Sequence, residues 1–257
     1  MVNLKKKLSD LINKILNIFD LRIVYNKDYI FNHNKFEIEN IKLSKMYSMT
    51  GEKRMSHLTK AVKYIFKNNI DGDFVECGVW QGGNLILMQR LMNFYKENRN
   101  IYGYDTFEGM TEPNEFDTDI NDKKASNLMS VENKIENSNS KNIWCYSGLE
   151  TVKKNFKKHT DASNLKLVKG DVCVTLQNNE NLPNKISLLR LDTDFYASTK
   201  VELEKLFPLV VKNGVIIIDD YGHWKGQKKA VDEFFIENRL NTFLFEVDYS
   251  CRVFIKK

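Results

Sequence analysis

Leu188-Leu-Arg-Leu-Asp-Thr-Asp194 and Val215-Ile-Ile-Ile-Asp-Asp220 are two short apolar runs, each of which ends by delivering a pair of carboxylates. Runs of this length, rich in branched aliphatic residues, predict buried strands of a parallel sheet. In an open α/β sheet, ligands bind at the carboxyl ends of the strands. Four carboxylates gathered there would repel one another and raise each other's pKa unless a cation sat between them. An oxygen-only donor set of that kind suits Mg²⁺, with Mn²⁺ or Ca²⁺ as substitutes. The competing explanation is that all four acids cap loops or helices, which needs two coordinated coincidences.

Working outward, the same rhythm of strand and helix runs through most of the chain. Phe74 to Val79, Ile101 to Asp105, Leu165 to Lys169, Ile186 to Asp192 and Gly214 to Asp220 are β-rich runs. Helical stretches such as Asn84–Tyr95, Gly148–His159 and Thr199–Leu209 lie among them. Phe243–Asp248 and Cys251–Lys256 form two further strands joined by a tight turn. The pattern predicts an α/β fold: a mostly parallel seven-stranded sheet, helices on both faces, and an antiparallel C-terminal hairpin at one edge. A helix from about Glu52 to Asn69, with Met55, Leu58, Val62, Ile65 and Phe66 on one side, precedes the first strand. Residues 109–147 break the rhythm, being rich in Asn, Asp, Ser, Lys and Glu, and are read as an insert able to close over the site. A disordered surface loop is the alternative.

The first strand runs into Phe74-Val-Glu-Cys-Gly-Val-Trp-Gln-Gly-Gly-Asn84, an acid followed by a glycine-rich turn and a helix. Gly78, Gly82 and Gly83 would let a ligand approach a helix N-terminus without a Cβ in the way. Their spacing departs from G-x-G-x-x-G, which disfavours a dinucleotide. Asp105 ends the second strand, where a carboxylate can accept both ribose hydroxyls, although capping a helix would also explain it. Asp171 follows the third strand, placed to accept a hydrogen bond from an adenine amino group or to cap a turn. Three acids after three strands point to an adenosine ligand. Arg190 lies inside a strand, and if buried it needs an acid, for which Glu76 is the candidate.

The chain's 257 residues, 42% of them hydrophobic, suffice for one large core. Its net charge of +5 comes from scattered lysines rather than a basic stripe, so nucleic acid is not expected as a partner. Cys77, Cys145, Cys173 and Cys251 stand far apart and read as reduced thiols in the cytoplasm. Residues 1–45 are expected to form a helical extension to a domain at 46–257. Leu4, Leu8, Leu11, Ile15 and Phe19 put an apolar stripe on its first segment, for packing on the domain or a second subunit or for weak membrane-surface contact. Lys5, Lys6 and Lys7 resemble the start of a signal peptide, but Asp10, Asn13 and Lys14 interrupt the apolar run; neither secretion nor a transmembrane segment is expected.

Together these stretches resemble the macrocin O-methyltransferase family, metal-dependent enzymes that methylate deoxysugars of macrolide and aminocoumarin antibiotics. The resemblance is carried by Gly72-Asp-Phe-Val-Glu-Cys-Gly-Val-Trp-Gln-Gly-Gly83, by Leu189-Arg-Leu-Asp-Thr-Asp-Phe-Tyr196 with Ser198-Thr199, and by Gly214 to Gly222 with Asp219-Asp220-Tyr221. It implies a Rossmann-like class I methyltransferase fold that uses S-adenosylmethionine and Mg²⁺ or Mn²⁺. It further implies that Asp192, Asp219 and Asp220 are metal ligands and that Asp194 is the general base. Glu76, Asp105 and Asp171 would contact the cofactor, with Gly78, Trp80, Gly82, Gly83, Thr106 and Asp192 around it.

The acceptor would be a hydroxyl of a sugar, a glycan precursor or another small molecule, and the enzyme a homo-oligomer, most simply a dimer. A sugar hydroxyl is a poor nucleophile at neutral pH, so a cation and a carboxylate would share the work of removing its proton. His223, beside Tyr221 and Trp224, is an alternative base because its ordinary pKa lies near neutral. The rival readings are methylation of a phosphate-type oxygen, a metal-dependent glycosyltransferase built on Asp192 and Asp194, and a non-catalytic relative of the fold.

Overall fold

The structure is a computed structural model that describes Ile12 and residues 32–135, 144–161 and 163–257. The apolar stripe from Leu4 to Phe19 therefore lies outside the described residues. The chain divides into two units, Met1–Ile38 and Glu39–Lys257. In the first, the Asn34 side chain accepts a hydrogen bond from the Glu37 amide at 2.9 Å and donates to Glu37 Oε1 at 3.1 Å, which caps helix α1 (Lys35–Lys45).

In the second unit, helix α2 (Glu52–Lys67) follows the amphipathic pattern of its sequence, burying Met55, Leu58, Val62, Ile65 and Phe66. The alternating region then runs β1 (Asp73–Cys77), α3 (Gly83–Tyr95), β2 (Ile101–Asp105), α4 (Ala125–Ile135), α5 (Leu149–His159) and β3 (Leu165–Lys169). It continues with α6 (Val172–Thr175), β4 (Ile186–Leu191), α7 (Tyr196–Leu206), β5 (Val210–Ile218) and α8 (Lys225–Glu237), and closes with β6 (Phe245–Glu246) and β7 (Arg252–Ile255). The strands form one seven-stranded sheet in the order β3-β2-β1-β4-β5-β7-β6. The pairs among β1 to β5 are parallel, while β7 runs antiparallel to both β5 and β6, as the sequence predicts.

Side-chain alternation along the strands splits the core into two layers. Val75, Cys77, Tyr104, Leu189, Leu191, Ile216 and Ile218 pack with Leu203 and Leu206 of α7 and Val231 and Phe234 of α8. On the other face, Phe74 stacks on Phe66 of α2 with ring centroids 5.9 Å apart. All six residues of β4 are buried, which is why that run reads as continuously apolar apart from Ser187 and Arg190.

Several boundaries differ from the sequence reading, most clearly the starts of β5 and α7. Strand β5 starts at Val210 rather than Gly214, because the exposed Lys212 and Asn213, followed by Gly214, hide the strand behind turn-like residues. Helix α7 starts at Tyr196, where its amide is capped in trans by the Asp117 carboxylate at 2.8 Å. That contact belongs to the insert at 109–147, whose described parts are docked rather than loose. Lys225 donates its amide to the Thr118 carbonyl at 2.9 Å. Trp144 packs against Phe195 and Trp224, with ring centroids 6.4 and 5.9 Å away.

Candidate active site

The sheet reverses its winding direction between β1 and β4: β2 and β3 lie to one side, β5 and the hairpin to the other. The carboxyl ends of β1 and β4 therefore open a crevice, the usual ligand site of such a sheet. Gly78 follows β1 there with φ of +83°, and a Cβ on it would lie 2.1 Å from the Asp192 carbonyl oxygen. Only glycine lets the two strand ends approach so closely.

Two connected parts make up the crevice. One, of about 240 Å³, is lined by Met49, Thr50, Arg54, Trp80, Cys145 and the four aspartates Asp192, Asp194, Asp219 and Asp220. The other runs past Asp105, Thr106, Gly170 and Asp171 towards β3, and the two parts share Gly78, Asp105, Gly109, Met110 and Asp192. A site for an elongated ligand thus leads from Asp171 to the acidic floor.

Asp105 Oδ2 accepts the amides of Val79 at 2.7 Å and Trp80 at 3.0 Å, and Oδ1 accepts that of Phe107 at 2.7 Å. The carboxylate thus fixes the glycine-rich turn while facing the crevice, and burial pushes its pKa above the ordinary value against these hydrogen bonds. Thr106 donates its hydroxyl to the Gly109 carbonyl at 2.5 Å and shapes the turn where the insert departs. Asp171 caps α6 through the Cys173 amide at 2.8 Å, and the same residue lines the crevice.

The acidic floor is organised by two arginines. Arg190 Nη1 lies 2.6 Å from Glu76 Oε1 and 2.8 Å from Asp192 Oδ2, and its Nη2 lies 2.7 Å from Asp219 Oδ1. Thr50 and Asn84 complete this buried network: Arg190 Nη2 donates to Thr50 Oγ1 at 2.9 Å, and Asn84 Nδ2 donates to Glu76 Oε1 at 2.9 Å. Arg54, in the first turn of α2, reaches Asp219 Oδ2 at 2.5 Å, Asp220 Oδ1 at 3.4 Å and Asp248 Oδ2 at 2.7 Å. Neither Arg54 nor Asp248 belongs to a local motif, and the sequence gives no sign that these positions meet.

Several of the expected site residues lie away from the crevice lining. Glu76, at 1% exposure, is the buried partner of Arg190. Gly83 points away as well, since a Cβ there would lie 2.5 Å from the Ser44 carbonyl oxygen, and its amide bonds to the Tyr47 carbonyl at 2.9 Å. Gly82, at the N-terminus of α3, abuts Val152 rather than the crevice. His223 sits beside Tyr249, its Nδ1 3.3 Å from that hydroxyl, and is absent from the crevice lining.

Asp219 has both oxygens engaged by arginines. Burial works against its ionisation, but Arg190 and Arg54 prevail and hold the carboxyl below its ordinary pKa. The carboxylate oxygens that converge within 4.8 Å of one another are those of Asp192, Asp194 and Asp220. Asp194, expected as a base, thus joins this group, and Asp219, expected as a ligand, stands behind it. Burial pushes Asp194 well above the usual carboxylate range, and Asp220 adds to the shift. Asp192 is raised by burial and by its acidic neighbours, and Arg190 offsets this only in part. Asp194 stands at φ of +69°, a left-handed conformation that costs a non-glycine residue about 1 kcal/mol or more, so the turn is held by its surroundings.

A profile of the family described as macrocin-O-methyltransferase (TylF) matches residues 22–257. The chain belongs to this family. Its members are O-methyltransferases that use S-adenosylmethionine, and the chain is such an enzyme; the glycosyltransferase and non-catalytic readings fall away. Demethyldecarbamoylnovobiocin O-methyltransferase of Streptomyces niveus is 31% identical over 191 residues, covering 73% of this chain and 67% of that protein. Mycinamicin III 3''-O-methyltransferase of Micromonospora griseorubida is 26% identical over 205 residues, covering 79% and 75%. Among solved structures, the O-methyltransferase NovP is 27% identical and covers 82% of each chain with a TM-score of 0.70. The calicheamicin methyltransferase CalS11, 20% identical, covers 91% of this chain and 99% of its own with a TM-score of 0.55, a likeness of fold. The class I methyltransferase fold expected from sequence is the fold of this macrocin O-methyltransferase relative.

Proposed function

We propose that the enzyme methylates a sugar hydroxyl, on a secondary metabolite or a glycan precursor, with a divalent cation held by Asp192 and Asp220 beside Asp194. The observation that carries this reading is the convergence of three carboxylates in the crevice that also presents Asp105 and Asp171. The donor set fits a hard dication. Arg54 and Arg190 face Asp192, Asp219, Asp220 and Glu76, with Asp194 alongside; two cations among five carboxyls leave Asp192 and Asp194 short of positive charge, which a bound dication would supply. A Mg²⁺ or Mn²⁺ bound there would supply charge stabilisation for a hydroxyl losing its proton. Relatives that act on novobiocin and mycinamicin precursors support the sugar acceptor.

In this reading Asp105 would hold the ribose and Asp171 the adenine of S-adenosylmethionine, which would supply the methyl group. Asp194 is the carboxylate of this group placed to take the acceptor's proton. Met49, Trp80 and Cys145 exclude water around the acceptor, and the insert carrying Gly109 and Met110 closes one side. Asp219 orients the floor from behind through its two arginines. The four cysteines are unpaired, which supports a reducing, cytoplasmic setting. No helix among the described residues is long and apolar enough to cross a membrane.

The test is a panel of acceptors, free sugars, nucleotide-linked sugars, sugar-bearing metabolites and phosphate esters, scored for S-adenosylhomocysteine release with and without chelator. Turnover with a sugar-bearing acceptor that stops on chelation and returns with Mg²⁺ is the expected result. Turnover confined to phosphate esters, or indifferent to the chelator, contradicts it.

A further inference from the structure

Glu202 is a fully buried acid on α7 that none of the preceding roles uses. Its Oε1 accepts the Thr193 hydroxyl at 2.8 Å. Thr193 stands between Asp192 and Asp194 just after β4. One buried side chain thus holds the turn that carries both acids, beside the place where the sheet reverses direction. No cation pairs with Glu202 among the described residues, and its Oε2 has no hydrogen-bond partner.

An acid in such a place is expensive, since a buried carboxyl with one oxygen unsatisfied costs more than an apolar residue of similar volume. A role in general stability would be met better by leucine. What leucine cannot do is grip the Thr193 hydroxyl. The turn it grips is the one that carries Asp194 in the left-handed region, a conformation its surroundings must enforce. Ser198 and Phe195 contribute from the same helix start: the Phe195 amide bonds to the Thr193 carbonyl at 2.8 Å.

We propose that Glu202 is a positioning residue that latches the Asp192-Thr-Asp194 turn from beneath and fixes it for cation binding. The proposal rests on the assignment of Asp192 and Asp220 as cation ligands, and it deepens that assignment. Because burial keeps Glu202 neutral at pH 7, with a pKa of about 8, a glutamine amide oxygen can replace its acceptor.

The experiment compares the full-length chain with Glu202→Gln, Glu202→Leu, Thr193→Val and the Thr193→Val/Glu202→Leu double variant. Two quantities are read: Mn²⁺ affinity by electron paramagnetic resonance, and amide hydrogen exchange of peptides covering residues 192–196. Glu202→Leu and Thr193→Val should each weaken Mn²⁺ binding and speed local exchange by about tenfold, with the double variant no worse than either single one. Glu202→Gln should stay within about twofold of the parent on both readings. Thr193→Val removes only a hydroxyl and carries the test if Glu202→Leu does not fold. Additive losses, equal damage from Glu202→Gln and Glu202→Leu, or unchanged exchange over 192–196 would overturn the latch. A parent chain that binds no Mn²⁺ would instead overturn the cation assignment, and the exchange data would still decide the latch.

Discussion

Arg190 and Glu76 stand directly opposite one another on neighbouring strands and form a buried ion pair, Nη1 to Oε1 at 2.6 Å. The guanidinium extends from this pair to Asp192 and Asp219, so one buried cation ties the glycine-rich strand to both acid-bearing strands. Removing it strands several carboxylates without a counter-charge.

Arg190→Met should therefore lower unfolding free energy by about 3–5 kcal/mol in urea titrations, the usual cost of breaking a buried pair from one side. Glu76→Gln should cost less, because the amide oxygen still accepts from Arg190 and Asp192 and Asp219 still balance its charge. Equal losses would show that the pair itself, rather than the wider network, carries the effect.

Asp219 and Asp220 are neighbours in sequence but occupy different electrostatic surroundings. Asp220→Asn removes an oxygen from the converging group and should weaken Mn²⁺ binding by about tenfold or more, measured by calorimetry. Asp219→Asn should weaken it less, because both Asp219 oxygens face arginines. The reverse order would mean that Arg54 yields Asp219 when a cation binds.

Glu202 makes stability depend on pH in a definite direction. Its pKa is about 8 in the fold against an ordinary value of 4.5, so between these values the folded chain holds a proton that the unfolded chain has released. Stability contributed by this group is complete below about pH 4.5, declines by up to about 1.4 kcal/mol per pH unit above it, and levels off past about pH 8. Glu202→Gln removes the titration. The difference in unfolding free energy, variant minus parent, should rise from pH 5 to pH 8, and a flat difference would contradict the buried, neutral state.

Asp194→Asn keeps the shape of the turn and removes its basicity. With any acceptor that supports turnover, the variant should bind S-adenosylmethionine as the parent does and lose turnover by about 10²-fold or more. Normal turnover would exclude Asp194 as the base.

The fold was legible because its central strands β1, β2 and β4 are buried on both faces and so write themselves as largely apolar runs, and β2 and the more exposed edge strand β3 have the predicted ends. Asp192, Asp194 and Asp220 were legible for the same reason, since acids at the ends of such runs have little structural cause. Arg54, Asp248 and Glu202 were not. Each reads as an ordinary polar residue of a helix or turn, and only the folded sheet brings helix α2 and the hairpin turn to the strand ends. The arginine contacts of Asp219 were hidden for a related reason: Arg54 and Arg190 come from separate elements, and pairing between distant segments leaves no local pattern.

The central claim is that the methyl donor and a divalent cation share one crevice. Its most direct test is the relaxation of the S-adenosylmethionine methyl protons in the presence of the protein and Mn²⁺, because a paramagnetic ion acts steeply with distance. The parent chain should shorten methyl relaxation far beyond a protein-free control, and Asp192→Asn/Asp220→Asn should abolish the effect while retaining the donor. Relaxation equal to the control with the parent chain, under conditions where the donor is bound, would contradict the account.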